Sequence, residues 1–336
     1  MLLRRGLLVT RGPLLSLASN WTPQRPRAAR TSVSSSMADP SPAASKKVKM
    51  AICQLLVTAD KEENIKCARK AIEDAAKQGS SIVVLPEMWN CPYSNDSFPT
   101  YAEEVPSPGP DSPVAPATST SPSVSMMADV SRQCGVTLVG GSIPECSNGK
   151  LYNTCCVFGS RGSLLGKHRK THLFDIDIPG KIRFMESDTL TAGDKLTVVD
   201  TDVGRLGIGI CYDIRFPEMA LLYAKAGVQI IVYPGAFNTT TGPAHWEVVQ
   251  RARAVDCQLF VVTCSPARQE GAGYQAWGHS TAVGPFGEVL ATCGHEQATV
   301  FVELDLAQVE RRRENMPFMR QRRADLYSLT GEAAKP

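Results

Sequence analysis

One cysteine stands apart from the others by its setting. Cys211 lies in the glycine-spaced apolar run Gly207-Ile208-Gly209-Ile210-Cys211-Tyr212-Asp213, with a helix expected a few residues later. A strand that ends in a sharp turn before a helix projects a side chain and leaves backbone N–H groups free, the mechanics of a nucleophile elbow. On that reading Cys211 attacks an electrophilic carbon and the Tyr212 N–H faces the oxyanion that results. On the other reading Cys211 is one more buried thiol. The segment alone leaves both open.

A cysteine nucleophile needs a base. Of the five histidines, His168 and His172 flank Lys170, His245 lies near a helix start, His279 follows Trp277-Gly278, and His295 falls in a loop. None has an orienting carboxylate close by in sequence, so a hydrogen-bonding structural role is expected for His245 and His279. Carboxylates offer another route. Glu87 follows Leu85-Pro86 at the end of an apolar run. A charge there should be paired or functional, because burying it alone is costly. Lys170 sits where an apolar strand gives way to a loop. Each charge taken singly reads as solvated. Their joint occurrence at the ends of separate strands is informative, because strand ends converge on one site in layered α/β folds.

The elements that would position these groups follow from hydrophobic periodicity. Strands are predicted over 48–57, 81–85, 136–143, 151–158, 163–168, 196–201, 205–210, 228–233, 259–264, 279–284, 288–293 and 298–304. Helices are predicted over 64–78, 124–134, 217–226, 244–257 and 306–314. Residues 106–122 hold six Pro, which no helix or central strand survives, so a surface loop is expected there. Strands and helices interleave along the chain, the mark of an α/β layered fold.

The composition is that of a globular protein: 336 residues, 43% apolar and 21% charged, with 26 Gly and 23 Pro. Collagen, a coiled-coil rod and a largely disordered chain are excluded, and no run approaches the ~18 apolar residues of a membrane helix. The net charge of +3 is unevenly spread. Residues 1–37 contain six Arg and no Lys, Asp or Glu; taking these six from the 36 basic residues leaves 30 against 33 acidic. The body is therefore mildly acidic and lacks the basic patch of a nucleic-acid binder. The Arg-, Leu- and Ser-rich leader has the composition of an organellar transit peptide, mitochondrial or plastid. Met37 offers a second start that would yield a cytosolic form. Eleven Cys without a CxxC pair or a clustered His give no zinc site, and several of them read as small buried hydrophobes.

Three motifs in this order, Leu85-Pro86-Glu87, Arg169-Lys170-Thr171-His172-Leu173 and Gly209-Ile210-Cys211-Tyr212-Asp213, resemble the carbon–nitrogen hydrolase (nitrilase) superfamily over roughly residues 48–328. The resemblance implies a four-layer α-β-β-α sandwich over 47–328, behind a leader of 1–46 and ahead of a tail of 329–336. It implies Glu87 as general base, Lys170 as oxyanion-stabilising cation and Cys211 as nucleophile. Glu186, in Phe184-Met185-Glu186-Ser187, matches the second glutamate, which helps orient the lysine and the hydrolytic water.

The run Cys211-Tyr212-Asp213-Ile214-Arg215-Phe216-Pro217-Glu218 resembles the branch of small 2-oxo-acid amidases, whereas true nitrilases typically carry Trp-Glu after the cysteine. Asn90–Tyr93, His172–Asp177, Phe237–Glu247, Ser265–Arg268 and Arg322–Tyr327 match the same branch. What this implies is release of ammonia from the terminal amide of 2-oxoglutaramate and 2-oxosuccinamate, through a cysteine thioester and without metal or organic cofactor. Tyr93, Phe237 and Thr241 shape the pocket by the same resemblance. Arg215 is the candidate grip for the substrate's far carboxylate, because guanidinium pairs with carboxylate in a bidentate fork; a salt bridge to Glu218 or Asp213 is the alternative. Superfamily subunits commonly dimerise, so a homodimer is expected. Two other readings are an amidase for deaminated glutathione or a carbamoyl amine, and an inactive amidase-like scaffold. The Pro-rich loop is longer than the connector usual at that place in the superfamily.

Overall fold

The computed structural model of the chain describes residues 47–109, 121–180, 182–271, 273–331, 333 and 334. The expected leader and most of the Pro-rich loop lie outside the described residues. Two sheets form the centre. The first holds β1 (Lys47–Gln54), β2 (Ile82–Val84), β3 (Thr137–Val139), β4 (Ile143–Ser147), β5 (Lys150–Phe158), β6 (Leu164–Arg169) and β15 (Ala298–Asp305). The second runs in the order β14 (Val289–Thr292), β13 (Thr281–Val283), β12 (Phe260–Cys264), β11 (Ile230–Pro234), β10 (Gly204–Ile208) and β9 (Leu196–Thr201), with Ala333–Ala334 at its β9 edge. β1, β2 and β3 are parallel, as are β10, β11 and β12. A separate hairpin pairs β7 (Asp175–Ile178) with β8 (Ile182–Met185).

Side-chain alternation along the strands builds the layers. Met50, Ile52, Val84 and Val157 turn inward to join Leu206, Ile208, Val232 and Val262 in the core between the sheets. Their neighbours Ala51, Cys53, Val83 and Phe158 turn outward, against Ala68 and Ile72 of α1 (Lys61–Lys77) and Val124 and Met127 of α3 (Pro122–Cys134). The short helix α2 (Phe98–Tyr101) lies between these two in sequence. On the second sheet, α4 (Pro217–Lys225) and α5 (Gly242–Cys257) contribute Tyr223 and Trp246. The Tyr223 hydroxyl donates to Ile208 O and accepts from Thr197 N, tying helix to sheet. The result is a four-layer α-β-β-α sandwich. Complete burial of one such aliphatic side chain is worth about 1.5–3 kcal/mol.

Three of the departures from the sequence-based expectation are of particular interest. The strand expected over 136–143 is broken into β3 and the start of β4 by a corner at Gly140-Gly141. Gly141 has φ +61°, and a Cβ on it would lie 2.1 Å from Pro86 O, so only glycine lets the chain turn there. Pro122, assigned to the end of the Pro-rich loop, is instead the first residue of α3. Its missing N–H costs nothing in the first turn of a helix. The β7–β8 hairpin was not expected; β7 alternates only between exposed and half-buried residues.

Candidate active site

Glu87 leaves the end of β2 on a turn held by the Gly140–Ser142 corner. Ser142 N donates to Pro86 O, Met88 N to Ser142 Oγ, and the Trp89 indole to Gly140 O at 2.8 Å. The Glu87 side chain is fully buried. Its Oε1 accepts from Asn153 Nδ2 at 2.8 Å and Lys170 Nζ at 3.1 Å, and its Oε2 accepts from Ala236 N at 2.7 Å. Asn153 and Ala236 carry no chemical signal in the sequence. They are found only because β5, separated from β2 by β3, and the chain just past β11 in the facing sheet both reach the Glu87 carboxylate.

Lys170 follows β6 and is also fully buried. Its own backbone is pinned by Asn153 O and by Gly193 N, each at 2.8 Å. Burial works against its charge, but Glu186 at 2.8 Å and Glu87 at 3.1 Å outweigh it, so its pKa is raised and the ammonium is kept. Glu186, buried in the turn after β8, accepts Lys170 Nζ and the Tyr93 hydroxyl (2.6 Å) on Oε1, and Phe174 N (2.7 Å) on Oε2. Burial raises its pKa, with Lys170 acting in the opposite direction.

Cys211 opens a 3-10 turn, Cys211–Arg215, between β10 and α4. Its φ of +48° lies in the left-handed region, a strained conformation for a residue with a Cβ and one that recurs at catalytic turns. Two glycines allow the approach. A Cβ on Gly209 would meet the Tyr233 ring at 2.4 Å, and one on Gly235 would lie 3.1 Å from Cys211 Cα. Burial, then the neighbouring Glu87 carboxylate, pushes the thiol pKa well up. Tyr212 is at the start of the turn, where an N–H has no intrahelical acceptor.

Asp213 organises this turn, a role not seen in the sequence. Its Oδ2 meets His168 Nε2 at 3.1 Å and accepts Ile210 N at 2.9 Å. Its Oδ1 takes Thr171 Oγ1, His172 N and His172 Nδ1 at 3.0, 2.9 and 2.7 Å. Burial opposes its charge, yet the two histidines hold its pKa below the usual carboxylate range. One carboxylate thus ties the Cys211 turn to both sides of Lys170. His168 and His172 are structural partners of Asp213.

Arg215 is half-buried at the end of the turn. Its guanidinium lies over the Phe237 ring at 4.6 Å and near Tyr212 at 5.7 Å, and its Nη1 is 3.1 Å from His245 Nδ1. Among the described residues it has no carboxylate partner; Asp213 is committed to the histidines. Phe237 is buried edge-on to Trp246. The Thr241 hydroxyl is engaged by Asn238 Oδ1 at 3.1 Å at the entry to α5. Tyr93 turns its hydroxyl to Glu186 and stacks on Tyr274 with centroids 4.5 Å apart. Tyr274 was not singled out from the sequence. A cavity of about 380 Å³ opens beside Glu87 and this tyrosine pair, with Thr58 and Gln269 among its walls.

A family model described as carbon-nitrogen hydrolase matches residues 49–314. The chloroplastic omega-amidase of Arabidopsis thaliana is 58% identical over 314 residues, covering 94% of this chain and 81% of that protein. Human omega-amidase NIT2 is 50% identical over 288 residues, covering 86% of this chain and 99% of its own. Among solved structures, Saccharomyces cerevisiae Nit3, a member of branch 10 of the nitrilase superfamily, matches with a TM-score of 0.73 and 41% identity, covering 83% of this chain and 97% of that one. Sequence and fold agree: the chain belongs to the carbon–nitrogen hydrolases of the nitrilase superfamily, as a hydrolase of amide C–N bonds.

Proposed function

We propose that the chain is an omega-amidase, which removes the terminal amide of a short 2-oxo dicarboxylic acid monoamide such as 2-oxoglutaramate or 2-oxosuccinamate. The observation that carries the chemistry is the buried cluster of Cys211, Glu87, Lys170 and Glu186. The omega-amidase relatives at 50% and 58% identity support the substrate class.

Because the Cys211 pKa is raised, the thiol is protonated at rest. Glu87 takes the proton as sulfur attacks the amide carbon. Lys170 Nζ and the Tyr212 N–H face the oxyanion, where one such donor is typically worth ~10²–10³ in rate. Collapse breaks the C–N bond, and the proton on Glu87 leaves with ammonia. Water then attacks the thioester, with Glu87 accepting its proton. The second tetrahedral species expels sulfur, which regains that proton as the acid departs. Glu186 already receives three donors, so its part is to hold Lys170 and Phe174 in place, with Tyr93 as its brace and a wall of the pocket. Arg215 over Phe237 grips the far carboxylate; Thr241 shapes the pocket mouth through the Asn238 turn.

The full chain given 2-oxoglutaramate should release ammonia and 2-oxoglutarate in equal amounts. Turnover of deaminated glutathione or a carbamoyl amine instead would keep the mechanism and overturn the substrate. The match to the chloroplastic relative covers 94% of this chain and so extends upstream of Lys47 into the leader, which favours plastid import. Residues 1–46 fused to a fluorescent protein should enter plastids; mitochondrial or diffuse fluorescence would refute that. Family membership also supports a homodimer, for which light scattering should return twice the chain mass.

A further inference from the structure

The guanidinium of arginine has donors and no acceptor. At the 3.1 Å contact between Arg215 Nη1 and His245 Nδ1, the imidazole nitrogen must therefore accept, which places the ring proton on Nε2. Among the described residues this is the one side-chain hydrogen bond to Arg215. A carboxylate in the same place would orient the guanidinium and also cancel its charge, competing with an incoming anion. A neutral nitrogen orients without cancelling. The rest of the guanidinium fork stays available while its face rests on Phe237.

His245 is well placed for this. It lies in the first turn of α5, and the next residue, Trp246, anchors that turn through its indole to His279 O at 2.6 Å. Two helical turns further, on the same face, Arg253 donates to Ile214 O at 2.8 Å and Arg215 O at 3.0 Å. One helix thus holds the Arg215 backbone with Arg253 and its side chain with His245. A free arginine side chain loses rotamer freedom when it grips an anion, and this pre-ordering removes that cost before substrate arrives.

Resting on the reading of Arg215 as the carboxylate grip, we propose that His245 is a positioning residue. As a neutral acceptor it sets Arg215 for an anionic substrate end and so determines the preference for monoamides of dicarboxylic acids over uncharged ones. The test compares kcat/KM for 2-oxoglutaramate with that for its methyl ester, in the full-length protein. The acid-over-ester ratio should fall about tenfold in His245→Ala, the scale of one hydrogen bond to a charged group. It should recover in His245→Asn, whose Oδ1 takes the place of Nδ1. Turnover of the ester by each variant reports that the site is intact.

Arg215→Ala separates the two claims. Collapse of the ratio in that variant but not in His245→Ala would overturn the role of His245 and leave Arg215 standing. An unchanged ratio in both would overturn both. Loss in His245→Ala without recovery in His245→Asn would show that ring packing matters rather than the acceptor, and would also overturn the proposal.

Discussion

Replacing Cys211 by Ala should lower kcat for amide hydrolysis by about 10⁶-fold, the scale seen when a covalent nucleophile is removed from a working constellation. Two losses act together. No sulfur remains to form the acyl intermediate, and Glu87 loses the neighbouring thiol whose proton it must take. Stability should barely follow. Cys211 has no disulfide, and the substitution removes one buried atom, a change of about 1 kcal/mol. Ammonia release and thermal unfolding measured on the same preparation separate the two effects. A folded variant that keeps a rate within a thousandfold of wild type would rule out Cys211 as nucleophile.

Lys170→Met should damage both activity and fold. The methionine fills most of the volume but leaves Glu87 and Glu186, both fully buried, facing each other without the ammonium between them. Breaking a buried ion pair on one side typically costs ~3–5 kcal/mol, and losing the oxyanion cation a further ~10²–10³ in rate. The pH dependence has a definite sign. Burial already raises the Glu186 pKa with Lys170 present; without the ammonium, which acts in the opposite direction, it moves higher. A buried carboxyl with a raised folded pKa binds more protons folded than unfolded, so stability falls as pH rises through that window. Relative to wild type, the variant should be least impaired near about pH 5 and most impaired near about pH 8. Equilibrium urea unfolding at the two pH values measures it, and an equal deficit at both would show that the carboxylates are not coupled through Lys170.

The legible part of the site consists of residues whose chemistry and place on a strand could be read together. Glu87 ends a continuously apolar strand, Cys211 follows a glycine-spaced one, and Lys170 ends a third; the structure brings all three to one buried cluster with Glu186. Arg215 was readable as an arginine close to Cys211, but not whether it was paired. That depended on Asp213 being occupied by His168 and His172, residues more than forty positions away. Tyr93 was expected to shape the pocket; its ring borders the cavity, and that its hydroxyl would meet Glu186 and Glu87 was not readable. Asn153 and Tyr274 had no signal, and His245 was expected only to make a structural hydrogen bond with no partner named, because an amide, a phenol and an imidazole are ordinary residues until a distant strand or helix sets them beside a charge.

Local sequence determined the elements, and for a physical reason. Periods of two and of about 3.6 decide which face of a strand or helix can be buried, and glycine and proline mark where the backbone must turn or stop. Apolar strands with chemical groups at their ends therefore announce a layered α/β enzyme. The tertiary structure decided which polar groups share an atom. Whether β3 runs on into β4 rested on the clearance between Gly141 and Pro86 O, a distance between segments that do not adjoin in sequence. Whether a buried charge is neutralised, braced or left free depends on neighbours from other strands, at separations of about 3 Å that no pattern along one strand encodes.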